Sequence, residues 1–348
     1  MPVTSPKPLA SVSLDLDNQW SYMKIHGDPG WSTFPTYLHL VVPRVLQFLK
    51  ERNLSITFFI VGQDAALDVN REPISALAAA GHEIGNHSFS HEPWLHLYSE
   101  VEIESELARA EEAVERATGK HPIGFRGPGF SLSRATLRVL CRRGYLYDAS
   151  TFPTFLGPLA RAYYFMTANL SAAEKRQRGA LFGTFSEGFR PLRPYRWRTG
   201  DGDLLEIPVT TMPLFKIPIH ASYILYLSGF SRALALLYFR VALRLCLVTG
   251  TQPSLLLHPL DFLDRHDAPP LAFFPAMNLP SAAKIEVVGE MLRLLAQHFE
   301  IVSMERHARA LALLRQLPSR EPDFPGDALP DSVRAEIKGQ ATGGSAHT

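Results

Sequence analysis

The chain is predicted to be an α/β protein built on a largely parallel sheet, and three observations predict it. Short apolar, β-branched runs alternate with helix-like stretches about seven times, the pattern of strands joined by helical crossovers. Ionisable residues stand where those runs end: Asp15 and Asp17, His87, Arg126, Asp148 and His258. Hydrophobic residues make up 46% of the 348 and charged residues 20%, enough apolar surface for a sizeable core. The alternation is compatible with a closed barrel or a doubly wound sheet. In both, the C-terminal strand ends share one rim, and sites are built there.

Residues 1–9 are a Pro-rich lead-in. Ala10–Leu16 alternates as a strand does and runs into Asp15-Leu16-Asp17. A helix is predicted over Thr36–Arg52, a buried strand over Ser55–Gly62, and a helix over Pro73–Ala80 that Gly81 ends as a C-cap. His82–Asn86 is the next strand, with His87 directly after it. Ser99–Thr118, dense in Glu and Ala and closed by Gly119, is the clearest helix. Pro122–Phe125 leads to Arg126. Ser133 caps a helix to Arg143, and Tyr145–Tyr147 leads to Asp148. The rhythm then breaks: residues 151–202 carry Pro, Gly, aromatics and Arg without periodicity and read as an insertion. Leu204–Val209 is a strand, 221–249 a strongly apolar helical region, and Pro253–Leu257 a strand ending at His258. Ser281–Gln297 is a helix and Phe299–Ser303 the final strand. A single domain is therefore expected over 10–315, with 316–348 a polar, flexible tail.

Bulk properties narrow the function. A formal net charge of +1 supplies no polyanion-binding field, so nucleic acid is not an expected partner. Cys141 and Cys246 each sit in an apolar helical stretch and are expected to be reduced core thiols. The first residues lack the apolar core of a secretory signal, from which a cytoplasmic location is expected. Oligomeric state is not legible.

The chemistry gathers in two short stretches. In His87-Ser-Phe-Ser-His91 the two imidazoles stand four apart, which places them on one face of a helical turn where they could share an ion. In Asp15-Leu16-Asp17 the carboxylates stand two apart, on one side of a strand. Adjacent carboxylates repel unless a cation divides them, and a metal taking one would leave the other as a base. Either stretch alone has a plainer reading, as a surface histidine pair or a turn after a strand.

Five ordered motifs resemble those of the polysaccharide deacetylases, the NodB-homology or carbohydrate esterase family 4 proteins. They are Asp15-Leu16-Asp17, His87-Ser-Phe-Ser-His91, Arg126-Gly-Pro-Gly-Phe130, Asp148-Ala-Ser150 and Leu256-Leu-His258-Pro259, and the resemblance covers roughly 10–150 and 203–305. It implies a distorted (β/α)7-type barrel, here with an inserted, partly helical segment. It implies one divalent metal, most often Zn2+ with Co2+, Ni2+ or Mn2+ as alternatives, held by Asp17, His87 and His91. Asp15 resembles the general base, with Arg126 orienting it. His258 resembles the general acid, with Asp148 orienting it, and a backbone N–H near Phe130 would assist at the oxyanion. The first motif departs from the commonest family form, in which the two aspartates are adjacent. Asn18 and Trp20 follow it, where a glycine is common. His26, His39, His82, His96, His220 and His266 match no motif and are read as structural or solvated.

The function expected is a metal-dependent hydrolase removing an N-acetyl group from an amino sugar of a polysaccharide or lipid-linked glycan. Alternatives are hydrolysis of a sugar formamide or small cyclic amide, or a catalytically silent glycan-binding barrel. In 217–249 no charge-free run reaches a membrane span's length of about 20 residues. Arg232, Arg240 and Arg244 are spaced by multiples of four, so the segment is either a core helix or one lying at the inner membrane face.

Overall fold

A computed structural model describes residues 7–157, 185–314 and 316–324. Most of the predicted 151–202 insertion and of the predicted tail lies outside the described residues.

Seven strands form a continuous parallel run. They are β1 (Leu9–Asp15), β2 (Thr57–Ile60), β3 (Glu83–Asn86), β4 (Gly124–Phe125), β5 (Tyr147–Asp148), β7 (Asp203–Glu206) and β8 (Ser254–Leu257), in spatial order β7-β5-β4-β3-β2-β1-β8. Strand β6 (Tyr195–Arg198) pairs antiparallel with β7, and β10 (Ser319–Arg320) extends that edge; β9 (Glu300–Val302) pairs with the first residues of β1. The sheet curls towards closure. Beyond β7 the backbone donates from Ile207 and Val209 to Asp148 and Thr151 on one side, and from Thr210 to Ser254 of β8 on the other. The predicted distorted (β/α)7-type barrel is thus the fold, sealed at its last joint by one backbone bond and the Thr210 hydroxyl, which accepts from the Ser254 N–H.

Helices α1 (Gln19–His26), α2 (Leu38–Lys50), α3 (Gly62–Ala66), α4 (Arg71–Ala79), α5 (Glu100–Thr118) and α6 (Arg134–Arg142) fill the first half. Helices α7 (Ala221–Ser228), α8 (Arg232–Thr249), α9 (Ser281–His298) and α10 (Met304–Ala312) follow. Local sequence explains the boundaries of α5: Ser99 and Glu102 form a capping box, and Gly119 ends it at φ 68°. Helices α1, α3 and α10 and strands β6 and β10 fall where no element was predicted, and one predicted helical region is split. Helix α1 was not predicted because its eight residues have no apolar stripe; Asn18 caps its start and Gly27 its end. Helix α10, started by Ser303, lies between the last predicted strand and the predicted tail, where no element was assigned. The 221–249 region is two helices, broken at Gly229–Ser231, where Ser231 caps the second.

The register positions the site. Asp15 aligns with Phe59, Asn86 with Phe125, Phe125 with Asp148, and Leu14 with Leu257. The strands therefore end level, and the residues after them emerge at one rim. Glycine sets the close approach of β4 and β5: a Cβ on Gly124 would lie 2.1–2.5 Å from atoms of the Tyr147 ring. Gly124→Ala is expected to displace that ring and lower stability by about 1–3 kcal/mol, read as a lower urea midpoint at unchanged m.

Candidate active site

Asp17, just past β1, lies between two imidazoles. Its Oδ1 is 3.2 Å from His87 Nε2 and 2.9 Å from His91 Nε2, and all three residues are buried. His87 Nδ1 donates to the Arg126 carbonyl at 2.6 Å, which fixes the tautomer and leaves Nε2 to face Asp17. Burial alone would raise the Asp17 carboxyl, but the charge of His91 and hydrogen bonds from both histidines hold it well below the usual range. Burial would lower His87, yet the charges of Asp15 and Asp17 raise it. Two imidazole nitrogens converging on one carboxylate oxygen form a donor set that calls for a cation. The three ligand atoms lie within 4.8 Å of one another. His91 Nδ1 is buried without a partner, so nothing else competes for that ring. The set fits a divalent ion of the zinc or iron type.

The histidines do not share a helical turn. Residues 87–91 form a loop in which Ser88 (φ 60°) and His91 (φ 51°) are left-handed, and that reversal brings His91 back beside His87. Strain of this kind persists only where surroundings over-determine it. Here Asn86 Oδ1 accepts from the Ser88 N–H and Ser88 Oγ from the His91 N–H. Glu106, projecting from α5, accepts from the N–H groups of Phe89 and Ser90 and from the Ser90 hydroxyl.

Asp15 is held by Arg126. The fully buried guanidinium donates to Asp15 Oδ1 at 2.6 Å, to the Ser13 hydroxyl and to the Ala149 carbonyl, and its carbon lies 4.5 Å from the Phe59 ring centre. His258, after β8, is held differently from the expectation. Its Nδ1 is 3.1 Å from Ser222 Oγ, whose hydroxyl donates to Asp261 Oδ1 at 2.7 Å, while Asp261 Oδ2 accepts the His258 N–H. Asp148 is elsewhere: it accepts from the Ser150 hydroxyl, which in turn accepts the Gly127 N–H, so it supports the turn after Arg126. Burial and the charge of Asp148 push neighbouring Glu206 well above the carboxylate range. Strand register forces this, because Asp148 pairs with Glu206 of β7 rather than with β8. The Phe130 N–H is committed to the Gly127 carbonyl and is not free for an oxyanion.

Several contributors had no sequence motif. Ser222 and Asp261 are ordinary polar residues until folding joins them to His258. Tyr22 stands within electrostatic reach of Asp15, Asp17 and Asp261. Asp64 accepts from Asn18, Trp20 and Asn70, with burial raising it to about 7, and Trp20 meets the His91 ring edge-on at 6.4 Å. His220, read as merely structural, stands 6.2 Å from the His258 ring and 5.7 Å from that of Phe152, which stacks on Phe130 at 4.8 Å.

Fold and rim together define a barrel protein with an Asp-His-His centre flanked by a carboxylate and an imidazole. The Polysaccharide deacetylase family model matches residues 27–147. The chain is 32% identical over 109 residues to a peptidoglycan deacetylase of Helicobacter pylori, covering 31% of this chain and 36% of that one. It is 36% identical over 86 residues to a peptidoglycan-N-acetylglucosamine deacetylase of Bacillus cereus, covering 25% and 30%. The chain thus spans about a third of the length of these relatives. Two solved structures share the fold, both named as candidate polysaccharide deacetylases. One, from Mycobacterium smegmatis, has a TM-score of 0.56 at 22% identity, over 92% of this chain and 99% of that one. The other, from Pseudomonas aeruginosa, has 0.54 at 19%, over 88% and 94%.

Glu106→Ala releases the loop that aims His91. It is expected to weaken divalent-metal binding by about 10- to 100-fold, measured by competition with a chromogenic chelator, with far-UV circular dichroism unchanged.

Proposed function

We propose that the chain is a metal-dependent hydrolase that removes an N-acetyl group from an amino sugar of a glycan. One observation carries this reading: a buried Asp17–His87–His91 donor set shares a rim with two separately oriented proton-transfer groups, Asp15 and His258. The match to the deacetylase family and to relatives named for peptidoglycan supports the substrate class.

Asp17, His87 and His91 would hold the ion, most suitably Zn2+. When bound, it supplies Lewis acidity towards a carbonyl and lowers the pKa of water. The remaining work falls to the chain. Arg126 directs Asp15 through one oxygen and leaves the second free of that contact, so Asp15 acts as the base that takes a proton from the attacking water. Expulsion of the sugar amine requires a proton, and His258 supplies it. In the chain His258 Nδ1–H to Ser222 Oγ–H to Asp261, Nδ1 is committed, which leaves Nε2 to carry the transferable proton. Asp261 also offsets the positive charge on the imidazolium. The aromatic wall of Phe130, Phe152 and His220 beside His258 offers the apolar surface that an acetyl methyl or sugar face requires.

Elemental analysis beside acetate release from an N-acetylglucosamine oligomer tests the reading. The wild-type chain is expected to hold about one divalent ion and release acetate, and the His87→Ala/His91→Ala variant to do neither. No metal after reconstitution, or turnover by a metal-free chain, would overturn it. Asp15→Asn should keep the metal and lose turnover by about 100-fold or more. Ser222→Ala should lower kcat about 10-fold with KM and metal content unchanged, since it breaks only the chain that holds His258. A variant as fast as wild type would remove Ser222 from the mechanism.

A further inference from the structure

The α7–α8 hairpin carries a face that the barrel does not cover. One side of α8 packs inward through Ala235, Phe239, Ala242, Leu243 and Cys246, all buried. On the other side Leu234, Leu237, Val241 and Val248 recur at helical spacing and are exposed, Leu234 at 66% and Val248 at 84%. Phe230, at the break between the helices, is 77% exposed and meets the edge of partly exposed Tyr226 at 5.3 Å. The loop between Thr211 and Pro218, tied to α8 by the Tyr238 hydroxyl on the Pro218 carbonyl, exposes Leu214 and Phe215 as well. A contiguous apolar stripe of this kind on a water-facing helix marks a contact surface.

Charge identifies what it contacts. Residues 221–250 contain Arg232, Arg240 and Arg244 and no Asp, Glu or Lys, so this stretch carries +3 where the whole chain carries +1. Arg232 pairs with Glu286, and Arg240 lies 3.9 Å from Glu290, both acids standing on α9 beside the hairpin. Among the described residues Arg244 has no acidic partner, and it borders the Leu237–Val241–Val248 stripe. Apolar side chains flanked by arginines on one face are the pattern of a helix lying in a lipid headgroup region, where long basic side chains reach phosphates while the stripe enters the acyl boundary. None of the described helices is long and apolar enough to cross a membrane, so the contact is with one leaflet. A second copy fits less well, because a twofold contact through this stripe would set Arg244 of each copy against like charge.

We propose that the α7–α8 hairpin docks the protein on an anionic lipid surface. Docking does not depend on the deacetylase reading. Joined to that reading it names a substrate class, a lipid-linked amino sugar. Helix α7 begins at Ala221, and its first turn holds His258 through Ser222, which leaves the hairpin tip at Phe230 about 12 Å along the helix axis from Ser222.

Flotation of the full chain with vesicles tests the docking. Binding is expected with phosphatidylcholine–phosphatidylglycerol vesicles at low salt, and should be weaker with phosphatidylcholine alone or at high salt. The Phe230→Ser/Leu234→Gln/Leu237→Gln variant should lose about 100-fold in partitioning. Arg240→Gln/Arg244→Gln should lose about 10-fold, on anionic vesicles only. His87→Ala/His91→Ala should float like wild type, which separates failure of docking from failure of the deacetylase reading. Thermal midpoints within a few degrees of wild type establish that the surface variants are folded. Absence of folded wild-type protein from anionic vesicles at low salt would overturn the proposal. So would an apolar variant that floats as well as wild type, or a dimer in solution that this variant dissociates while vesicles go unbound.

Discussion

A guanidinium sealed in the barrel is the constraint on which the rest depends. Arg126 has no exposed surface, and a buried charge left uncompensated costs several kcal/mol. Compensation comes from Asp15 and Ser13 on β1 and the Ala149 carbonyl after β5, with the Phe59 ring of β2 against its face and Met304 Sδ of α10 beside it. Five segments distant in sequence must therefore assemble before Arg126 can be buried. The same residue's carbonyl accepts from His87. One position thus holds Asp15 through its side chain and His87 through its backbone.

Asp15 and His258, which share the rim, are held from different halves of the chain. Asp15 is tied to Arg126 and the early strands, and His258 to Ser222 and Asp261 on the late elements. The two groups therefore meet different surroundings on one rim. The metal-facing loop adds a third constraint: Glu106 satisfies three donors of a strained turn that would otherwise be unpaired.

Much of this was legible before folding because it is local. Strand ends were marked by the shift from apolar runs to ionisable residues, and a parallel sheet places such ends at one rim. The grouping of Asp17, His87 and His91 came instead from the ordered motifs and their resemblance to a known family, and the three ligand atoms lie within 4.8 Å of one another. The helical reading of 87–91 did not hold, since spacing alone cannot distinguish a helical turn from a loop held left-handed by Asn86 and Glu106. The assignment of Asp148 to His258 rested on motif order, whereas strand pairing puts Asp148 beside Glu206. Helix α1 escaped notice because its caps, not its periodicity, define it.

What the sequence by itself determined is the alternation of strands and helices, the parallel sheet, and the chemical kinds of side chain presented at its rim, since periodicity and residue type are properties of neighbours along the chain. Tertiary structure alone decided which carboxylate serves which partner. Ser222 and Asp261 reach His258, and Glu106 reaches Phe89 and Ser90, only once helices pack on the barrel. Likewise, only packing separates the inward Phe239 and Cys246 of α8 from the outward Leu234 and Val248, because burial depends on what the fold sets against a face and not on the face's own composition.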